Sequence, residues 1–505
     1  MQDTSAASTD RMAAERSGWS LPLILLAVAF LLRLPFLGNP VIEGDEQFYL
    51  LVGDRLLQGT LPYVEIWDRK PVGLFLIYAA IRALGGEGIV QYQIVATLFA
   101  ACTAILVARI AATIASPRGA VFAGATYLLW LNVFGGEGGQ SPVFYNLPVA
   151  GAALLALHAV IRPGEWRRLL GLGAAAMFAT GLAMQIKYTA VFEGVYFGCA
   201  LLLCGWRAGV GPMRLIVLAT VWVGCAMLPT LAAMGSYAAM GELQAFLFAN
   251  FISVFHRNTA VVGSSLGRLA TMTGLLLPLA ACAVFGLRLA RREMVARPDG
   301  LRAAGFVAGW AVVAVLGVLV FGTYYNHYAL PLLVPLSVAA APLLGWPGAR
   351  WRRVSAMLAL SLVGVIAATV LTVIHLRARG DGTEVRALAS AAALGPGEFL
   401  YVFDGETILY FLTRSPLPTP FVFPTHLNDL REAEGIGIDP VAELRRILAS
   451  GPAYIATTDG TRPRINPESW AVLSEALRAG YEPVHSVRIG NRNRVLYRRV
   501  ALPAG

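Results

Sequence analysis

Apolar runs of about 20 residues recur along most of this chain, and they restrict its fold more than any other feature. A helical run of that length, rising about 1.5 Å per residue, crosses a hydrocarbon core about 30 Å thick. Eleven crossings are predicted, at 19–37, 89–115, 119–134, 143–161, 169–185, 189–205, 215–234, 270–289, 304–322, 329–345 and 354–375. Leu74 to Leu84 is apolar but too short to cross, and is expected near the interface. Hydrophobic residues make up 57% of the chain and charged ones 14%, against about a quarter charged in soluble domains. The expected fold class is a polytopic α-helical membrane protein.

The arginines give these spans a direction. Residues 1–18 read as a cytoplasmic tail, and Arg11 and Arg16 precede a first span with no small-residue cleavage site after it, so that span is expected to stay uncleaved. With the N-terminus inside, the inner loops hold Arg118, Arg162, Arg167, Arg168, Arg207, Arg214, Arg288, Arg291, Arg292, Arg297, Arg302, Arg350, Arg352 and Arg353. The outer loops at 135–142 and 323–328 hold no Lys or Arg, as the positive-inside rule requires. The expected location is the cytoplasmic (inner) membrane, crossed many times. The net charge of +10 then reflects orientation. No basic stripe with interleaved aromatics points to nucleic acid. The five cysteines lie in apolar runs without metal-ligand spacing and read as small buried hydrophobes.

An odd number of crossings puts the C-terminus outside. Hydrophilic composition begins near Ala378, so 378–505 is expected to be an extracytoplasmic α/β domain after a transmembrane domain at 19–375. Strands are predicted at 398–403, 453–457, 482–489 and 494–499, and helices at 404–412, 440–449 and 467–479.

The first outer loop breaks the charge rule. Residues 38–73 must lie outside, yet they carry Arg55, Arg69 and Lys70. The loop opens with an acid pair, Asp45 and Glu46, followed by a predicted short helix with Phe48, Leu51, Val52 and Leu56 on one side. A carboxylate at a dry interface suits general-base work; Asp45 could equally cap the helix. Lys70 and Lys187 are the only two lysines among 40 basic residues, and an ammonium is a compact charge suited to a phosphate. Glu193 lies inside a predicted span, where acids are costly and mark function or a buried partner. Glu137 sits in the glycine-rich outer loop GGEGGQSP, and Asn326 and His327 sit in TYYNHYALP at an outer span end. All four, with Lys187, are candidates to line a site.

These motifs carry a resemblance. Gly-Asp-Glu with Tyr49 four residues after Asp45, then Gly-x-Leu-Pro-Tyr and Trp-Asp-x-Lys-Pro, resembles the first outer loop of the GT-C integral-membrane glycosyltransferases. The likeness is to the branch of protein-mannosyltransferase-like and lipid A aminoarabinose transferases (families 39 and 83), and Asn-His-Tyr-x-Leu-Pro is similar to bacterial members of it. The resemblance spans about 19–375. It implies a GT-C fold, a polyprenyl-phosphate-linked sugar donor and inverting transfer to an acceptor hydroxyl. It also implies Asp45, with Glu46 beside it, as catalytic acid residue, Tyr49 as pocket aromatic and Lys70 as donor-phosphate ligand. Arg69 and Lys187 are further phosphate candidates. Relatives often carry arginine where Phe48 stands and Glu-Lys-Pro-Pro where Arg69-Lys70-Pro71-Val72 stands. The expected enzyme is a hexosyl- or pentosyltransferase acting on a glycan, lipid or protein acceptor among membrane lipids. No cofactor is required, although a divalent metal at the acid pair stays open. A lipid-linked glycan ligase and a polyprenyl-lipid flippase or transporter are the alternatives; a transporter would place its polar track near the bilayer midplane.

Overall fold

The computed structural model describes residues 21–257, 265–320, 322–345, 350–460, 464–490 and 492–500. The predicted tail at 1–18 and the first two residues of the first predicted span lie outside them.

Helices stand at every predicted crossing. In chain order they are α1 (Leu21–Phe36), α2 (Gly44–Leu57), α3 (Val72–Ala83), α4 (Ile89–Ala111), α5 (Pro117–Val133), α6 (Ser141–Ile161), α7 (Trp166–Met184), α8 (Val191–Arg207) and α9 (Pro212–Ala239). A broken helical stretch, α10 (Leu243–His256), follows. Then come α11 (Ser265–Glu293), α12 (Pro298–Val320), a 3-10 turn at Asn326–Leu332, α13 (Leu333–Gly345) and α14 (Arg350–Arg379). Among the described residues, eight helices are long and apolar enough to cross a membrane. Apolar side chains stand outward on them, such as Ile216 and Val223 on α9 and Leu277 on α11, each more than 60% exposed. Hydrocarbon rather than water suits such a surface.

The C-terminal region holds α15 (Thr383–Ala391), β1 (Leu400–Val402), α16 (Ile408–Thr413), α17 (Thr425–Asn428), α18 (Pro440–Ala449), β2 (Tyr454–Thr458), α19 (Pro467–Gly480), β3 (Tyr481–Ile489) and β4 (Arg492–Arg499). The sheet order is β1-β2-β4-β3. β1 and β2 are parallel, with Leu400 opposite Tyr454, and the other pairings are antiparallel. Caps explain why α18 and α19 start where they do: Asp439 accepts from Val441 and Ala442, and Asn466 from Glu468 and Ser469, each ahead of a proline at the first helical position. α16 begins four residues later than predicted, because Glu406 is drawn into tertiary bonds. It accepts from Gln47 Nε2 at 2.7 Å and from Arg494 at 3.1 Å.

The chain forms two compact units. One comprises the described part of Met1–Pro35 with Ile94–Thr230 and Ser264–Thr372. Its helices pack through small residues. On α5, a side chain at Gly119 would come within 2.5 Å of the Ala341 carbonyl of α13, the close approach typical of membrane helix pairs.

The other unit comprises Phe36–Gln93, Leu231–Gly263 and Val373–Gly505, so the first loop and the sheet belong to one body. Trp67 N–H donates to the Pro420 carbonyl at 2.9 Å, and Arg379 pairs with Glu43 at 3.0 Å. The loop and the sheet therefore lie on the same side of any membrane, and an even number of crossings separates them. The N-terminal half of α2 is buried all round, from Glu46 to Gly53, rather than on the one face predicted. Gly53 allows this: a Cβ there would lie 2.6 Å from the Tyr78 carbonyl carbon and 2.7 Å from the Ala79 nitrogen of α3. Backbone cannot yield as a flexible side chain can. Gly53→Ala is expected to cost about 1–3 kcal/mol, read as a lower thermal midpoint in detergent, whereas Gly44→Ala, which meets open space, leaves the midpoint in place.

Candidate active site

The acid pair and the lysine of the first loop meet in the unit that holds the sheet. Asp45 and Glu46 occupy the first turn of α2, where the helix dipole favours negative charge. Asp45 is not the cap expected of it as an alternative: Glu43 holds that position, with no side-chain cap bond. Lys70 Nζ lies 3.9 Å from Asp45 Oδ2, both side chains about a quarter exposed. The ammonium also sits 5.2 Å from the centre of the Tyr49 ring. Tyr49 is wholly buried; burial first, and then the charges of Asp45, Asp68 and Glu46, push its phenol well above 10. It therefore stays protonated beside Asp45 at neutral pH. Glu46 is fully buried, on the side of α2 where Tyr49, Tyr78 and Tyr92 pack edge-on and tilted at 5.5 and 5.6 Å.

The backbone that carries Lys70 is tightly held. The Asp68 carboxylate accepts from the amides of Arg69 and Lys70, and Tyr63 Oη donates to the Lys70 carbonyl at 2.7 Å. Arg69 turns away from Lys70. It donates to Glu432 Oε2 at 2.6 Å, to Ser253 Oγ at 2.9 Å and to the Gly435 carbonyl at 2.8 Å, and its guanidinium lies over Trp67. Arg257 takes the other Glu432 oxygen at 2.5 Å. Burial alone would raise the Glu432 carboxyl; Arg69 and Arg257 outweigh it and hold it below its usual range.

Phe48 packs edge-on against Phe423 at 5.4 Å and Phe75 at 6.4 Å. Beside it His426 is buried among Trp67, Phe421 and Phe423. A cavity of about 650 Å³ opens next to this cluster, lined by Tyr63, Trp67, Leu247, Phe248, Ile252 and Ile436.

The remaining sequence candidates belong to the other unit. Lys187 Nζ lies 4.6 Å over the ring of Tyr328. His327 stacks on Tyr325 at 5.9 Å and meets Tyr328 edge-on at 4.8 Å. Arg268 covers the same Tyr325 at 4.9 Å and donates to the Thr323 carbonyl. Lys187 and His327 thus join one cation–aromatic cluster, while Asn326 stands exposed at its edge. Glu137 is buried in its loop. The carbonyls on either side of it, of Gly136 and Gly138, accept from Arg33 of α1. Glu193 is buried in α8 beside Tyr145 of α6. Sequence reasoning missed Arg33, Arg257, Arg268, Tyr325, Tyr328, His426 and Glu432. Arg33 left a signal as a charge at the end of an apolar run, and Arg257 and Arg268 left one as cations at 235–269, a loop the predicted spans put outside. Among the described residues, no group of three or more His, Cys, Asp or Glu could hold a metal ion.

Comparison with solved structures gives long, low-identity matches. ArnT from Cupriavidus metallidurans bound to undecaprenyl phosphate matches with a TM-score of 0.64 at 16% identity, over 97% of this chain and 99% of that one. The same protein in the apo state matches at 0.61 and 15%, over 95% and 98%. The Archaeoglobus fulgidus oligosaccharyltransferase tethered with an acceptor peptide matches at 0.52 and 11%, over 87% of this chain and 68% of that one. No family model and no curated protein sequence matches. At these identities the likeness is one of fold.

His426 makes the folding of this region sensitive to pH. Burial lowers its pKa to about 4, with Asp68 and Glu432 pulling the other way and Arg69 and Lys70 reinforcing the fall. The unfolded chain takes up a proton near 6.5 that the folded protein refuses until about 4, so this contribution is complete above 6.5 and is lost as pH falls towards 4. The expected loss is on the order of 3 kcal/mol over that window, read as a falling thermal midpoint between pH 7 and 4.5 that flattens in His426→Phe.

Proposed function

We propose that this chain, which has the fold of the GT-C-type membrane glycosyltransferases, transfers a sugar from a polyprenyl-phosphate donor to an acceptor hydroxyl at the outer face of the cytoplasmic membrane. The observation that carries the reading is the approach of Asp45 and Lys70 to 3.9 Å across 25 positions of sequence. A carboxylate and an ammonium so placed suit the two ends of an inverting displacement. Asp45 takes the proton of the acceptor hydroxyl. The oxygen attacks the anomeric carbon from the face opposite the phosphate, the carbon–oxygen bond to phosphate breaks, and the configuration inverts. The charge that develops on the leaving phosphate meets Lys70.

With no donor bound, the two groups neutralise each other. Arrival of a phosphate gives Lys70 a stronger partner and leaves Asp45 as the more available base. Tyr49 stays protonated near Asp45 and adds no charge to the site. Undecaprenyl phosphate, the lipid of the ArnT complex, is the donor carrier we favour. The acceptor is a glycan, lipid or protein hydroxyl.

Assay of labelled sugar leaving a polyprenyl-phosphate donor tests these roles. Asp45→Asn is expected to lower kcat by at least about 100-fold, and Lys70→Ala by about 100-fold; near-wild-type turnover in either removes that residue from its role. Orientation has its own test. Cysteines placed at Gln58 and Arg478, both exposed, are expected to react with a membrane-impermeant maleimide from the outer face of intact cells, and labelling from the cytoplasmic face alone would reverse the proposed topology.

A further inference from the structure

We propose that Glu432, carried by the C-terminal region, is a positioning residue that acts through Arg69 to hold Lys70 at the donor phosphate. This rests on the role of Lys70 proposed above.

A lysine ammonium is a point charge on a flexible four-carbon stem. Among the contacts of Lys70 are the Asp45 carboxylate at 3.9 Å and the Tyr49 ring. A point charge is not oriented by these contacts as a bidentate guanidinium would be, so the backbone that bears it contributes to its placement. That backbone is a short turn, and the side chain next to Lys70 is the most heavily bonded in the loop. Nε, Nη1 and Nη2 of Arg69 each donate, to Ser253, Glu432 and Gly435, and its face lies 4.8 Å from the centre of the Trp67 ring. These contacts take three of the five N–H donors of Arg69, from all three of its nitrogens, and fix the side chain as an anchor. Consecutive side chains diverge here, so the anchor turns Arg69 towards residues 432–435 and Lys70 towards Asp45.

Glu432 is the centre of this anchor. It is about 4% exposed, and its two oxygens serve two arginines, Arg69 and Arg257. A buried carboxylate with two cations stays ionised, so Arg69 keeps a full charge to pair with. Removing the charge of Glu432 leaves two arginines facing each other without an anion between them. Arg69 then loses its seat, and the turn at Asp68 to Lys70 gains freedom. The C-terminal region thereby supplies the part of the donor site that holds its lysine in register.

The test is a double-mutant cycle on undecaprenyl phosphate binding, with the full-length chain in detergent. The variants are Lys70→Ala, Glu432→Gln and the pair, with thermal midpoints measured alongside. The expected result is that Glu432→Gln weakens binding about tenfold in the wild-type background and less than about twofold once Lys70 is gone, the non-additivity of residues acting as one unit. Glu432→Asp, which keeps the charge, is expected to recover part of the loss; a purely packing role would not follow charge. Equal losses in both backgrounds, or no loss in the first, overturn the positioning role and leave the role of Lys70 intact. If the wild-type chain does not bind undecaprenyl phosphate, or Lys70→Ala binds it as well as wild type, the proposed function and this inference both fall. Should Glu432→Gln not fold, Arg69→Lys carries the same cycle: it keeps an ion pair with Glu432 but loses the Ser253 and Gly435 contacts, and additivity with Lys70→Ala overturns the inference.

Discussion

Buried charge must be paired, and in the unit that holds the first loop this requirement joins two distant parts of the chain. Gln47 of α2 donates to Glu406, which in turn accepts from Arg494 of β4. Arg69 pairs with Glu432 across 363 positions. An unpaired ion in such surroundings costs several kcal/mol, so loop and sheet are bound to each other's presence. The aromatic cluster of Phe48, Trp67, Phe423 and His426 fills the space between these two networks.

The same rule sorts the acids by role. Glu46 and Glu432 are buried and enclosed, whereas Asp45 keeps about a quarter of its side chain open beside Lys70. A base needs access to its proton donor, so partial exposure suits Asp45 and full burial suits a structural carboxylate. Of the acid pair read from the sequence, Asp45 is part-exposed and Glu46 is buried. Glu46 lies near Tyr49, Tyr78 and Tyr92, and its charge acts on their phenols. Arg69 divides from Lys70 in the same way, one cation turned to a buried partner and the other to a half-open site.

Much of this was legible beforehand, and the part that was not has a physical cause. The spans follow from apolar length. The strands β2, β3 and β4 and the helices α18 and α19 follow from alternation and capping, which are local. Asp45 and Lys70 stood out because Lys70 is one of two lysines and lies in an outer loop that carries three cations. Glu432 carried no such mark: its meaning lies in partners brought near only by folding. Phe48 was visible as a departure from relatives, but its partners Phe423 and His426 lie more than 370 positions away. The split of the polar candidates between two compact units was also beyond local pattern.

The central claim is that the first loop holds the donor phosphate at Lys70 with a base beside it. A cryo-EM structure of the protein with undecaprenyl phosphate tests it most directly. The account predicts phosphate density within about 3 Å of Lys70 Nζ, the range of a charge-assisted hydrogen bond, with the ammonium drawn away from Asp45. Phosphate density elsewhere, with Lys70 still paired to Asp45, would contradict it.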